Sequence, residues 1–486
     1  MTRIALVVYG MLGGGIETFL LNLGAYLKCC QYDVTIVTTN CLGNWFERIA
    51  QMGLEEIYVP GLNSVEPLEH VSRVSKVLYD GEFDIVFSNH ALFAQIGIGT
   101  GKANPVVIPI VHGTDEYCAR IGTYNAGLCD HIVAVSPAVK KTVERINKHY
   151  KCDVILHGIP KANVDIAIER DFFLSTIKLM YVGRISNSDK GVFLLPPIVK
   201  TLIDDGLKVT LDVVGDGSDK GQLKELFQNN GTEKFVKYWG MLSSEQVRAL
   251  MHSAHILLFP SYMEGLGIAP IEAQLCGCIP VASRLTGATD CTIQDKKTGF
   301  LVDHGEVKQF SQAIKQLYFD RPLLMRMSQQ AKDYAEIHFS IERMGDQYHK
   351  LIQMALENKS ENKLVSERND PQKGLEKFTD KKVILWGTGA GCEWLCKMIP
   401  FEAFYFVDNN PLKWQCYFRG RPICSPQTLL QEHADKIMII IASHSYMEEI
   451  SMQLSQMGFN EDEHFTNIFK ILEPELLLRY DLNFRT

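Results

Sequence analysis

No run of about eighteen apolar residues occurs in the 486-residue chain, so we expect no membrane-spanning segment. The first residues, MTRIALVVYG, lead directly into a strand-like run, without the apolar segment and cleavage site of a signal peptide. There is also no basic excess, because the formal net charge is -8 and the pI is near 6.0. Since neutralising many phosphates needs a basic surface, a general nucleic-acid binder is excluded. A cytoplasmic protein is expected.

The thirteen cysteines lack the regular spacing of a secreted disulfide framework. Cys276 and Cys278 form a close pair, but no second pair of metal ligands accompanies them at a suitable spacing. We therefore expect the thirteen cysteines to be reduced, interpret Cys276 and Cys278 as small buried side chains, and expect no metal site.

Short β-branched apolar runs alternate with longer amphipathic stretches, which is typical of parallel strands joined by helices. The length predicts two or three domains. We predict an α/β protein with two doubly wound, Rossmann-like domains facing a cleft, at residues 1–165 and 166–358, the second ending in helices. Between the two series of runs, residues 161–176 have little periodic pattern and are interpreted as a hinge.

Residues 359–380 are polar and charged, which indicates a linker. Beyond them, KKVILWGTGAG begins a third, small Rossmann-like α/β domain, predicted at residues 381–486. Its candidate accessory nucleotide site consists of three glycines after a strand and an acid about twenty residues on, namely Gly387, Gly389, Gly391 and Asp408. Cys392 stands where the dinucleotide fingerprint has its third glycine, so binding or docking is favoured over redox chemistry.

Glycine-rich turns follow three of the predicted strands. In YGMLGGGIETF, Gly14 and Gly15 precede a helix, where backbone amides and the helix dipole favour a phosphate; a packing role is the alternative. In YVGRISNSDKG, Arg184 and Lys190 follow a strand and suit a diphosphate, although most loop cations are simply solvated. A further glycine turn, VVGDGSDK, either packs or lies beside a base and ribose.

Two glutamates stand eight positions apart in FPSYMEGLGIAPIEAQLCG. The pattern places Glu264 in the loop at the carboxyl end of a buried strand and Glu272 near the start of the next helix. Ionised carboxylates accept hydrogen bonds only, so each glutamate is suited to two hydroxyls of a sugar or ribose.

This Glu-x7-Glu pattern, with glycine after the first glutamate and alanine after the second, resembles that of the retaining glycosyltransferases of family four (group 1), whose fold is called GT-B. Other segments resemble the family in the same order along the chain, namely GGGIE, VHGTD around His112, AVSPAVKK, HGIP and TGFLV. The resemblance covers roughly residues 1 to 355. Asp115 is explained as a helix N-cap.

The resemblance implies that Arg184 and Lys190 stabilise the leaving diphosphate, and that Glu264 holds donor-sugar hydroxyls. It places Glu272 at the ribose and His112 near the reaction centre. The implied catalytic residues are His112, Arg184, Lys190 and Glu264. The implied donor-binding residues are Gly14, Gly15, Gly183, Gly215, Gly265, Leu266, Gly267 and Glu272.

No general base is evident, which fits retaining enzymes of this fold, in which the leaving phosphate is thought to take the acceptor proton. The aspartate-rich metal motif of other glycosyltransferases is also lacking, so the resemblance implies that no metal and no cofactor is required. Two departures from the family pattern, TGATD with Gly287 and Asp290, and Leu266 in place of an aromatic residue, are expected to adjust donor selectivity.

A basic helix is predicted near residues 137–151, with five cations against a single glutamate. Such a helix suits an anionic lipid surface, and hence a lipid-linked acceptor at the inner face of the membrane. A solvated helix face is the alternative.

The leading hypothesis is a hexosyltransferase that moves a sugar from a nucleotide-diphosphate sugar to a glycan or lipid-linked acceptor in surface polysaccharide or glycolipid biosynthesis. A catalytically silent nucleotide-sugar-binding partner subunit is the first alternative. The second is a nicotinamide-dependent enzyme acting through the C-terminal domain.

Overall fold

The computed structural model describes residues 1–61, 67–80, 83–98, 105–161, 170–361, 381–389, 392–393, 395–396, 402–443, 446–461 and 463–467. Within these ranges the chain forms three sheets, one for each predicted domain. The predicted fold class, two doubly wound α/β domains followed by a smaller third one, is therefore confirmed. The exact domain boundaries stay predictions, and nearly all of the predicted linker lies outside the described residues.

The first sheet contains seven parallel strands in the order β3-β2-β1-β4-β5-β6-β7. Its strands are β1 (Arg3–Val8), β2 (Asp33–Thr38), β3 (Glu55–Tyr58), β4 (Ile85–Asn89), β5 (Val106–Val111), β6 (Ile132–Ala134) and β7 (Cys152–Val154). The helices are α1 (Gly15–Cys29), α2 (Glu47–Gln51), α3 (Pro67–Tyr79), α4 (Leu92–Ile96), α5 (Glu116–Thr123) and α6 (Pro137–Ile146). The central strands are buried on both faces, which explains their unbroken apolar runs.

The second sheet contains six parallel strands in the order β10-β9-β8-β11-β12-β13. They are β8 (Ile177–Val182), β9 (Val209–Val214), β10 (Val236–Gly240), β11 (Ile256–Phe259), β12 (Ile279–Ser283) and β13 (Phe300–Val302). The helices are α7 (Asn187–Lys190), α8 (Leu195–Asp204), α9 (Lys220–Asn229), α10 (Ser244–Ser253), α11 (Ile268–Leu275), α12 (Thr289–Thr292), α13 (Val307–Phe319), α14 (Arg321–His338) and α15 (Ile341–Glu361).

The last two helices lead back to the first domain. Phe339, Met344 and Tyr348 are buried in the same apolar cluster as strand residues of the first sheet. Tyr26 of α1 also donates a hydrogen bond of 2.6 Å to Asp346 of α15. Helix α15 is therefore part of the core of the first domain, although it follows the second domain in sequence.

The third sheet has the order β16-β17-β15-β14-β18-β19 and is parallel except for the β16–β17 pair. Its elements are β14 (Lys382–Trp386), β15 (Tyr405–Val407), β16 (Tyr417–Phe418), β17 (Arg421–Cys424), β18 (Ile437–Ile441), α16 (Met447–Gln456) and β19 (Phe465–Asn467). Its buried residues and those on one face of the first sheet form one apolar cluster.

A single arginine from the predicted hinge ties together the helices of the second domain. The guanidinium of Arg170 donates five hydrogen bonds of 2.6 to 3.0 Å. The acceptors are the carbonyls of Met251, Ala254, Cys276 and Gly277 and the hydroxyl of Ser328. The four carbonyls lie at the carboxyl ends of α10 and α11, where backbone acceptors have no partner within the helix. Arg170 therefore caps two helices at once.

The predicted basic helix is shorter than expected. Helix α6 begins after Ser136, whose side chain caps it, and ends at Ile146 because Asn147 is extended, with φ -155° and ψ 115°. Lys148 and Lys151 follow the helix, so the prediction that it reaches residue 151 was wrong in extent. Lys141 and Arg145 are exposed on α6.

Candidate functional site

The carboxyl ends of the first two sheets meet across a cleft at two loops. A Cβ atom placed on Gly265 would lie 1.8 Å from the carbonyl oxygen of His112, so only glycine permits this approach. Beside it, the Thr114 hydroxyl donates to the carbonyl of Glu264 at 3.3 Å. The loops that carry the predicted histidine and the first predicted glutamate are therefore in direct contact.

Glu264 and Lys190 form the central ion pair of the site. The Lys190 Nζ lies 2.8 Å from the Glu264 Oε1, and the Ser261 hydroxyl donates to the same oxygen at 2.8 Å. The side chains of Lys190 and Glu264 are only 20% and 10% exposed, so water screens the pair poorly. The structure thus joins two of the predicted catalytic residues that are 74 positions apart in sequence.

Asp189 connects this pair to the other predicted cation, and the sequence analysis missed it. Its carboxylate lies 2.5 Å from Arg184 and 3.8 Å from Lys190. Burial alone would raise the pKa of Asp189, but hydrogen bonds from Ser186 and Arg184 and the charge of Lys190 lower it overall. Its carbonyl also accepts from the amides of the loop before Glu264. Asp189 therefore contacts both cations, and its place between them in RISNSDKG was the available signal.

The lysine loop reaches the glutamate loop by a second close approach. Gly191 ends the short helix α7 with φ 60°, in the left-handed region that glycine tolerates best. A Cβ atom there would lie 2.2 Å from the carbonyl oxygen of Pro260 at the end of β11. Glycine at this position lets Lys190 lie beside Glu264.

His112 is held from inside the first domain. Its Nε2 lies 2.9 Å from the Oδ1 of Asn89 at the end of β4. Its ring contacts Phe19 at 5.2 Å and His157 at 5.5 Å between centroids, both edge-on. Burial, with smaller contributions from His157 and His90, holds the pKa of His112 well below its usual value. The ring is therefore neutral, and Asn89 and His157 are contacts that the sequence analysis did not identify.

The glycine turn of the first domain lies against α11. Helix α1 begins at Gly15, one position after its N-cap Gly14, and a Cβ atom on Gly15 would lie 3.2 Å from the Ile268 side chain. Glu17 is buried beneath this turn. Burial raises its pKa, while hydrogen bonds from backbone amides, including those of Leu12 and Gly14, partly offset the rise. The glycine turn thus packs against Ile268 of α11, and Gly14 lies beside the Glu17 carboxylate.

Glu272 lies in the second turn of α11, on the wall of a cavity of about 260 Å³. The wall also includes Ser244 and Arg248 of α10 and Lys332 of α14. Burial raises the pKa of Glu272 to about 7, and the charge of Arg248 opposes the rise. Ser244 in addition accepts a hydrogen bond from Arg48 of the first domain at 3.3 Å. The second glutamate is thus separate from the Lys190 pair and faces its own cavity.

Four other predicted donor-binding residues have packing or backbone roles that account for their residue types. The Leu266 side chain is buried in an apolar cluster shared with the first domain. Gly267 precedes α11 with φ 84°. The turns at Gly183 and Gly215 abut, since a Cβ atom on Gly215 would lie 1.9 Å from the carbonyl oxygen of Gly183. Their binding roles stay predictions.

In the third domain the predicted ribose-binding acid is already engaged. The Asp408 carboxylate accepts from Thr388 at 2.5 Å, Lys413 at 2.9 Å and the amide of Asn410 at 2.9 Å. Gly387 and Gly389 lie in the turn after β14, whereas Gly391 lies outside the described residues. Three of the acceptor positions of the carboxylate are thus occupied within the third domain.

The described residues contain no cluster of three or more His, Cys, Asp or Glu side chains placed to hold a metal ion. Among the described helices, none combines the length and hydropathy needed to cross a bilayer.

The two facing domains match solved glycosyltransferase structures. The Anabaena protein HepE, in complex with UDP and glucose, aligns with a TM-score of 0.63 and 16% identity over 73% of this chain and 100% of that chain. Staphylococcus aureus TarM aligns with a TM-score of 0.60 and 12% identity over 72% of this chain and 99% of that chain. Identities this low show the fold alone, and the fold is GT-B.

Curated relatives align mostly over part of their length. An uncharacterised glycosyltransferase of Methanocaldococcus jannaschii is 26% identical over 310 residues, which is 57% of this chain and 76% of the relative. A D-inositol 3-phosphate glycosyltransferase of Corynebacterium jeikeium is 29% identical over 36% of this chain and 42% of the relative. The Staphylococcus aureus capsular polysaccharide biosynthesis glycosyltransferase CapM is 28% identical over 33% of this chain and 41% of the relative. The alignments thus span less than half of the second and third relatives.

Family models cover both sides of the cleft. Residues 13–162 match the model described as Glycosyltransferase Family 4, and residues 168–334 match Glycosyl transferases group 1. The chain belongs to the GT-B glycosyltransferases of family four (group 1), which confirms the resemblance noted in the sequence. Residues 379–465 match a further model, described as C2185-like, N-terminal, over the third domain.

Proposed function

We propose that the protein moves a sugar, with retention of configuration, from a nucleotide-diphosphate sugar to a glycan or lipid-linked acceptor. The observation that carries this proposal is the buried ion pair between Lys190 and Glu264 at the meeting point of the two domains. Supporting it, HepE has been solved with UDP and with UDP-glucose, and CapM is named for capsular polysaccharide biosynthesis. We place the reaction in surface polysaccharide or glycolipid biosynthesis.

The proposed mechanism is an exchange of ion-pair partners, in which Lys190 and Arg184 leave the carboxylates of Glu264 and Asp189 for the diphosphate of the donor. A leaving diphosphate offers Lys190 and Arg184 an anion in place of the carboxylates that they contact without substrate. When Lys190 turns to the diphosphate, Glu264 is left with a free acceptor oxygen, which a donor-sugar hydroxyl can fill. Lys190, Arg184 and Glu264 therefore each exchange one partner for another, whereas Asp189 gives up its contact with Arg184.

We propose that transfer requires neither metal nor cofactor, because the positive charges of Arg184 and Lys190 stabilise the leaving diphosphate. Transfer that continues at an unchanged rate after chelation with EDTA is the expected result. Loss of transfer that added Mg²⁺ restores would contradict this part of the proposal.

Membrane contact is proposed for the basic segment of the first domain. Lys141 and Arg145 on α6, with Lys148 and Lys151 after it, are exposed. Anionic headgroups are the chemistry that such a cluster attracts, and each cation contributes roughly 1 kcal/mol near a charged surface. This would place the enzyme at the inner face of the membrane, beside a lipid-linked acceptor.

For the third domain we propose a docking or binding role without redox chemistry. The support is that the Asp408 carboxylate is held within the third domain by Thr388, Lys413 and the amide of Asn410.

The test is a thermal-shift panel of uridine, guanosine and adenosine diphosphate sugars with nicotinamide dinucleotides, followed by transfer assays with the donors that bind. A ligand that binds only the folded state raises the melting temperature. A shift from one nucleotide sugar, lost in Glu272→Ala, is expected. Binding without turnover for any acceptor would favour the silent partner subunit, and a shift from a nicotinamide dinucleotide alone would move the function to the third domain.

A further inference from the structure

The contacts behind His112 determine which of its ring nitrogens carries a proton. Asn89 is fully buried at the end of β4, and its Nδ2 donates to the carbonyl oxygen of Phe87 at 3.2 Å. Reversing the amide would bring two oxygen acceptors together, so the orientation of the Asn89 side chain is fixed. Its Oδ1 therefore faces the His112 Nε2, at 2.9 Å.

An amide oxygen only accepts hydrogen bonds, so the Nε2 of His112 must be the protonated nitrogen. The ring is neutral, because burial holds the pKa of His112 well below its usual value, and it therefore has one proton only. The Nδ1 is left as a bare lone pair. It is buried and has no hydrogen-bond partner among the described residues. Buried polar atoms almost always have a partner, so this acceptor calls for a donor.

The plane of the ring is also set by packing. Phe19 meets it at an interplanar angle of 66° and His157 at 60°. Phe19 in turn stacks on His157, with centroids 4.6 Å apart and an angle of 20°. The rings of Phe19 and His157 therefore hold the imidazole in one orientation, while Asn89 selects its tautomer.

We propose that Asn89 is a positioning residue that holds His112 as the Nε2–H tautomer, so that the site offers its substrate a hydrogen-bond acceptor at Nδ1. The group recognised is a sugar hydroxyl of the donor, which donates its proton to Nδ1; this part rests on the proposed function. The assignment also excludes His112 as the acid that protonates a leaving group, since its only proton is already donated to Asn89.

The variant Asn89→Leu removes the acceptor and keeps a similar volume. The matched control is Ser88→Ala on the same strand, because successive residues of a strand point to opposite faces and the Ser88 hydroxyl is buried without a partner in the described residues. Nitrogen-15 NMR of protein with labelled histidine reports the tautomer directly. The chain has 14 histidines, so the His112 signals are assigned by their absence in His112→Gln.

In the wild type and in Ser88→Ala, we expect a protonated Nε2 and an unprotonated Nδ1 at His112. In Asn89→Leu we expect a mixture of tautomers and a fall in kcat/KM of about tenfold to a hundredfold, the range that follows from leaving one buried donor unpaired. Ser88→Ala should stay within about twofold of the wild type. The free enzyme suffices for the NMR measurement, so its result stands even if no sugar transfer is found.

A protonated Nδ1 in the wild type would overturn the assignment. So would an Asn89→Leu variant that loses activity with the His112 tautomer unchanged, because Asn89 would then act only in folding. A changed tautomer with unchanged kcat/KM would refute the positioning role. Absence of transfer in the wild type would instead refute the proposed function and leave the tautomer measurement standing.

Discussion

The ion pair of Lys190 and Glu264 makes a quantitative prediction for a double-mutant cycle. At 2.8 Å and an effective dielectric constant of about 20, two unit charges attract by roughly 6 kcal/mol. Removing both side chains from water cancels much of this attraction, so we expect a coupling free energy of about 1.5 to 3 kcal/mol. In urea denaturation, Lys190→Met and Glu264→Gln should each destabilise the protein, and the double variant should lose less than their sum by that amount.

The same variants separate stability from chemistry. Lys190→Met should lower the transfer rate by roughly a hundredfold to a thousandfold, since it removes one charge that stabilises the leaving diphosphate. Glu264→Gln keeps a hydrogen-bonding oxygen and should retain more activity than Glu264→Ala. The matched control is Lys200→Met, an exposed lysine of α8 that pairs with Asp204 within the helix. Additive losses of stability in the cycle would refute the coupling, and full turnover in Lys190→Met would refute the site assignment.

Three further predictions follow from other parts of the structure. Arg170→Leu should lower the free energy of unfolding by about 4 kcal/mol or more, because five acceptors lose a charged donor. The control Arg326→Leu, on the exposed face of α14, should change the free energy of unfolding by less than about 0.5 kcal/mol, and similar urea midpoints for the two variants would contradict the capping role. The pKa of Glu272 is raised to about 7, so its side chain should lose its charge as the pH falls through 7, and the donor should then bind more weakly. Because the carboxyl group holds its proton to a higher pH in the folded protein than in the unfolded chain, the folded protein should become less stable as the pH rises from about 4.5 to 7. Calorimetry and denaturation of Glu272→Gln at several pH values check both predictions, and an unchanged pH dependence in the variant would count against the assignment. Lys141→Glu with Arg145→Glu should weaken sedimentation with anionic vesicles about tenfold or more, and equal sedimentation with neutral vesicles would dismiss the membrane contact.

The sequence predicted the strand series, the cleft and the two glutamates because these depend on local patterns. Period-two and apolar runs identify strands, and a parallel sheet brings their carboxyl ends to one edge. Asp115 illustrates the same rule, since its predicted capping role is confirmed by a 2.8 Å hydrogen bond from the amide of Cys118.

The residues that sequence reasoning missed act through contacts between distant parts of the chain. Asn89 is the last residue of an ordinary buried strand, and only the fold brings it to His112, 23 positions later. Arg170 lies in a stretch without periodicity, and no neighbouring residue in the sequence indicates that it donates hydrogen bonds to the carboxyl ends of two distant helices. Asp189 was visible between two cations in the sequence, yet charged residues after a strand are more often solvated than structural. The C-terminal limit of α6 depended on the backbone angles of one residue, Asn147, which no pattern specified.

The position of Arg170 has a consequence for building hybrid enzymes. In a family whose members share two separable halves, exchanging second domains between relatives is an obvious route to new donor specificity. A junction drawn at Ile177, where the second sheet begins, would leave the arginine behind with the first half and remove the donor that caps α10 and α11. Recombination should therefore cut before residue 170, so that the second domain travels together with the side chain that completes its helices.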